Sequence, residues 1–165
     1  APSNDLYGRD AYSTSRIDSL LDADLVFARE AQVYLLALQA DTLTQEGYER
    51  MNAAFEFFLA GVNNALLHSD YLADQCLSLA DIAFMCDFTQ FQRELYFTRA
   101  LQAKGFAPIS GGLATTLHEE FEGAPNDYPE VEKYVQRMLK HPQIEEDLGA
   151  YVQDLKDKLQ VALAT

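Results

Sequence analysis

The 165-residue chain has three histidines, two cysteines and 26 acidic residues that could bind a metal or move a proton, so their spacing is the first thing to read. A di-iron carboxylate bundle needs Glu-x-x-His pairs on facing helices. Three residues before His68, His118 and His141 stand Ala65, Thr115 and Met138, so that motif is missing. His118-Glu119-Glu120 reads as a solvated acidic turn rather than a ligand set. His68 falls at a helix end and His141 beside Pro142, positions that suit partners of a helix C-terminal dipole better than a haem ligand. A Ser/His/Asp hydrolase would show Gly-x-Ser-x-Gly, which does not occur, and Gly111-Gly112 lacks the Lys-Ser/Thr of a phosphate loop. Cys76 and Cys86 have no metal-ligand spacing and read as buried, reduced thiols. The expectation is a chain with no catalytic residue and no metal site of its own.

One constellation is informative in another way. Ser78 is followed three residues later by Asp81, where an apolar run begins. Such a pair forms a reciprocal cap: the Ser oxygen accepts from the amide three residues on, and the carboxylate reaches back to the Ser amide. Leu77 before the cap and Ile82 after Asp81 are placed to pack as a hydrophobic staple. Leu77, Ser78, Asp81 and Ile82 are thus a folding motif that fixes where a helix starts.

Helical periodicity organises the rest. Ile17, Leu20, Leu21, Leu25, Ala28, Ala31, Leu35 and Leu38 predict one face of a first helix, and Val26, Phe27, Val33 and Tyr34 a second apolar patch. A helix apolar on two sides is central or meets another chain. Tyr48, Met51, Phe55, Phe58, Val62 and Ala65 predict a second helix, with Gly61 allowing a close backbone approach. A third is expected from Leu79 to about Ala103, striped by Phe84, Phe88, Phe91 and Leu95 and stopped by Lys104-Gly105. Residues 105–127 read as a loop holding one short helix, Leu113–Phe121. Two last helices are expected, Tyr128 to Lys140 and Gln143 to Leu163, opened by Pro129 and Pro142. No strand signal appears. The fold class is all-α, with five main helices and a short one.

Hydrophobic residues make up 48% of the chain, enough for one domain to bury roughly two-thirds of its unfolded surface. The net charge of −14 repels phosphate, which disfavours nucleic acid and anionic membranes as partners. No apolar run reaches the ~18 residues of a membrane span, and no secretion signal is visible, so the expected location is cytoplasmic.

Leu-Ser-Leu-Ala-Asp-Ile (77–82) after Tyr-Leu-Ala (71–73) resembles the N-capping box of the all-helical C-terminal domain of cytosolic glutathione transferases. Leu6-Tyr7-Gly8-Arg9-Asp10 resembles that family's interdomain linker. Tyr128-Pro129-Glu130-Val131, then Arg137-Met138 and His141-Pro142, resemble its late helix. The likeness runs from about Leu6 to Leu159. Asp74 stands where the family usually has Gly; Asp tolerates left-handed backbone better than most residues. The resemblance implies residues 1–10 as an interdomain linker remnant and 11–163 as the helical domain. The family's glutathione-activating, thioredoxin-like N-terminal domain has no counterpart in this chain.

The same resemblance implies a role. In the family this domain forms one wall of the pocket for small hydrophobic electrophiles and much of a homodimer interface. Carried onto this chain, the substrate wall is Tyr12, Ser15, Arg16 and Ser19, with residues 113–121 folding over it. Asp18 and Asp22 are the implied contacts to glutathione in the neighbouring subunit. Read without the family, these six are exposed polar residues on an ordinary first helix. Glutathione is then a co-substrate of the parent protein, no cofactor is bound by this chain alone, and the thioredoxin-like domain is its partner. The alternatives are a non-catalytic interaction module and a carrier of apolar ligands.

Overall fold

Six α-helices and no strand make up the described part of the computed structural model, which covers residues 5–164. Helix α1 (Ala11–Gln39) packs against both α2 (Gln45–Ala65) and α3 (Leu79–Phe91). A 3-10 stretch, Gln92–Phe97, leads into the short α4 (Thr98–Ala103). Two further 3-10 turns, Gly111–Thr116 and Glu119–Phe121, precede α5 (Pro129–Met138) and α6 (Pro142–Ala164). The all-α architecture with five main helices is as the periodicity requires.

Aromatic rings fill the centre. Phe27 of α1 stacks on Phe58 of α2 at 4.8 Å and meets Phe91 of α3 edge-on at 5.5 Å, and Phe84 stacks on Phe88 at 5.3 Å. A smaller apolar cluster joins Leu95, Ala114 and Leu117 to Val152 and Leu159 of α6. The α2 stripe is buried from Met51 to Val62, as its spacing requires.

The α1 face differs from the expectation. Its buried residues are Ser13, Ile17, Asp24, Phe27, Ala31, Tyr34 and Leu38, so Phe27 and Tyr34 belong to the core face. Leu25, Val26, Val33 and Leu36 point outward and are more than half exposed. Counting apolar residues could not separate these faces, because the core stripe contains an aspartate.

Five other expectations are corrected. The third helix does not run unbroken to Ala103: the chain tightens at Gln92, which turns Glu94 and Leu95 inward. The short helix over 113–121 is instead two 3-10 turns, with Leu113, Ala114 and Leu117 buried. Gly61 makes no close backbone approach, since a Cβ built there meets nothing within 4 Å. Asp74 does not occupy left-handed space either; among the described residues the non-glycine that does is Asp41, at φ 55°, just after α1. Cys76 and Cys86 are unpaired and half-buried rather than fully buried.

Candidate functional site

The Ser78–Asp81 box forms where the sequence places it, with Leu77 and Ile82 packed on the core. Its centre of weight is Asp81, which is fully buried. Oδ2 accepts from the Ser78 amide at 2.9 Å and from the Ser78 hydroxyl at 2.7 Å. Oδ1 accepts from the Leu72 amide at 3.0 Å and from the Tyr134 hydroxyl of α5 at 2.7 Å. A local cap thereby becomes a junction between the turn before α3 and a helix over fifty residues away. Arg137, one turn beyond Tyr134, donates to the Asp70 carbonyl and lies over the Tyr134 ring at 5.7 Å. Burial first, and then the charge of Asp81, pushes the Tyr134 phenol well above its ordinary pKa.

A second box, which the sequence reading passed over, fixes the start of α1. Asp10 Oδ1 accepts from the Ser13 amide at 2.8 Å, while Ser13 Oγ accepts from the amides of Arg9 (2.9 Å) and Asp10 (3.1 Å). Gly8 sits at φ +94°, and a Cβ there would meet Ser13 Oγ at 2.6 Å. The Leu79 amide donates to the Leu6 carbonyl at 3.0 Å, tying the segment before α1 to the start of α3. The signal for this cap was Asp-x-x-Ser at 10–13, the usual residue order reversed.

These two caps hold the first turns of α1 against the turn that leads into α3. Tyr12, Ser15, Arg16 and Ser19 come together there, lining a shallow hollow of about 240 Å3. Tyr12 and Arg16 also border a neighbouring cleft of about 520 Å3, whose other walls are Gly61, Asn64 and His68 from the end of α2 and residues 73–75. Arg16 is the one cation of α1 in this cleft. Its Nη2 donates to the Leu72 carbonyl at 3.2 Å and Nη1 to the Tyr12 hydroxyl at 3.5 Å, while its buried Nε has no partner. Ser19 Oγ is used locally, donating to the Ser15 carbonyl at 2.9 Å.

The structure does not bring the other implied residues to this place. Asp18 and Asp22 are exposed and line neither hollow, and none of residues 113–121 folds over Tyr12. His118 accepts from the Glu120 amide at 3.2 Å and caps a 3-10 turn. His141 joins two helix ends through its backbone: its amide donates to the Met138 carbonyl at the end of α5 (3.0 Å), and its carbonyl accepts from the Glu145 amide in the first turn of α6 (2.8 Å). Asn64 and His68 were not singled out as cleft residues, because their spacing speaks only of a helix end.

Comparison with protein-family models, curated proteins and solved structures found no match to this chain.

Proposed function

We propose that this chain is the substrate-wall domain of a glutathione-transferase-like protein, working beside a thioredoxin-like domain that activates the thiol. One observation carries the reading: Tyr12, Ser15, Arg16 and Ser19, on one face of α1, share one hollow, and Arg16 reaches from it to the Leu72 carbonyl in the turn before α3. The parent protein conjugates glutathione to hydrophobic electrophiles. The phenol and exposed ring of Tyr12 offer the electrophile an aromatic face, and the guanidinium of Arg16, which lines both hollows, offers a carboxylate of glutathione a cationic partner. The outward strip Leu25, Val26, Val33 and Leu36 on α1 favours a second copy as partner, since contiguous exposed apolar surface marks an interface. In this reading the thiol is activated by the thioredoxin-like domain, and the chain by itself is expected to show no turnover.

The test is NMR mapping of the purified chain with S-(2,4-dinitrophenyl)glutathione. Shifts confined to Tyr12, Ser15, Arg16, Ser19 and the adjoining cleft are expected, weakened several-fold in Arg16→Met. Absence of any shift there would reject the reading, as would thiol conjugation of a chlorinated nitroarene by the chain alone.

A further inference from the structure

A second hollow, of about 290 Å3, lies on a different part of the bundle, between α2 and residues 107–128. Its walls are apolar: Phe55 of α2, Ile109, Leu113 and Phe121, with Tyr128 edge-on to Phe55 at 6.0 Å. The frame is built from inside. Fully buried Glu94 accepts from the amides of Ile109 (3.1 Å) and Ser110 (2.6 Å), from the Ser110 hydroxyl, and from Tyr34 Oη (3.0 Å). The Gly112 amide donates to the Pro125 carbonyl at 2.7 Å, and a Cβ at Gly112 would meet the Ala124 carbonyl oxygen at 2.6 Å. The far wall is therefore pinned against the near one.

The polar atoms decide what this hollow can take. Its side-chain donors are already engaged: Asn52 to Glu56 (2.8 Å), Ser110 to Glu94, Asn126 to Glu132 (2.6 Å), and the Tyr128 hydroxyl weakly to the Glu56 carbonyl (3.5 Å). Two exposed carboxylates remain at the mouth. Glu56 keeps one oxygen without a partner, Asp127 accepts no hydrogen bond, and neither has an ion-pair partner among the described residues. No Lys, Arg or His lines the hollow. Burial, and then Glu56 and Asp127, raise the Tyr128 phenol's pKa, as expected of a negative mouth. An anion would meet only repulsion here, and a neutral apolar molecule would leave the carboxylates unused.

We propose that this hollow binds a small amphipathic organic cation, an aryl- or alkyl-ammonium. Its apolar body lies against Phe55, Leu113 and Phe121. Its charge sits between Glu56 and Asp127, close to the face of Tyr128, where cation–π attraction adds to the ion pairing. This site is separate from the α1 cleft and does not rest on the transferase reading.

The experiment is an NMR titration of the whole chain with benzyltrimethylammonium, benzyl alcohol and phenylacetate, at low and high salt. The cation should saturate with shifts at Phe55, Phe121 and Tyr128. It should bind at least tenfold more tightly than the alcohol, weaken with salt and outcompete phenylacetate, which should not bind. The E56Q/D127N double variant changes only exposed side chains and should melt with the parent chain while losing about tenfold in cation affinity. Equal binding of cation and alcohol would overturn the proposal. So would cation shifts scattered over the acidic surface, or affinity unchanged in the double variant.

Discussion

Of the three carboxylates buried in this bundle, Asp81 being the third, Glu94 and Asp24 sit in opposite surroundings. Glu94 sits at the junction of the 3-10 stretch and the 109–110 turn, where two amides and two hydroxyls converge on it. Asp24, on the core stripe of α1, is almost as buried, yet its Oδ1 has no partner and its neighbour across the seam with α3 is another acid, Asp87. Burial penalises the charged form in both cases. Burial raises the Glu94 pKa too, but there the Ser110, Ile109 and Tyr34 donors pull against it, whereas at Asp24 burial, then the hydrogen bond and charge of Asp87, all push the same way and raise the pKa to about 8. A buried acid is thus structural in one place and a liability in the other, and the donors around it decide which.

The largest effect should come from removing the satisfied acid. Glu94→Leu leaves the Ile109 and Ser110 amides and the Tyr34 hydroxyl buried without an acceptor. Each such orphan costs about 1–3 kcal/mol, so the variant should lose about 4 kcal/mol or more in a urea titration. Hydrogen exchange at Ile109 and Ser110 should rise with it. A midpoint within error of the parent would show that the donors find other partners, and the contrast with Asp24 would disappear.

Removing the unsatisfied acid should do the reverse, and only in one pH range. In the unfolded chain Asp24 ionises near the ordinary aspartate value of 3.8, while the folded protein holds the proton until about pH 8. Between those values the unfolded state releases a proton that the folded state keeps, so stability falls as pH rises through this window. Below it both states are protonated and the penalty vanishes. Asp87 beside it and the Cys86 thiol, itself pushed up by burial and then by Asp87, Asp24 and Asp147, add no positive charge to rescue it. Asp24→Asn should therefore stabilise the protein by about 1–2 kcal/mol at pH 7.5 and by almost nothing at pH 4. Thermal melts across that range would show it, and an equal gain at both pH values would mean that packing, not ionisation, explains the change.

The same two acids mark what could be read along the chain. The Ser78–Asp81 cap, the α2 stripe and the Pro129 and Pro142 starts were legible because each depends on neighbours within a turn or two. Glu94 was not, since Gln-Arg-Glu-Leu says nothing of the Ser110 amide sixteen residues later. Asp24 hid the true face of α1, because a polar residue at a core position breaks the count while Leu25 and Val26 beside it restore a false one. Tyr12, Ser15, Arg16 and Ser19 share a face of α1 by their spacing, but their cleft partners, Asn64 of α2 and His68 just beyond it, needed coordinates. The cation site depends on which donors are already engaged, which no spacing records.

The smallest expected effect tests how far the cap resembles the Glu94 junction. Ser78→Ala deletes one of four donors to Asp81 but keeps the residue-78 amide, the Leu72 amide and the Tyr134 hydroxyl in place. Losing a cap side chain costs about 1 kcal/mol, and in a domain of this size that is about 2–4 °C in melting temperature. Asp81→Ala removes the acceptor from all four donors at once, leaves them buried, and should cost several times more. If the two substitutions cost the same, Asp81 holds α3 only through its own first turn. The bond to Tyr134 would then be incidental, and the cap would be a local device rather than a second convergent junction of the kind built around Glu94.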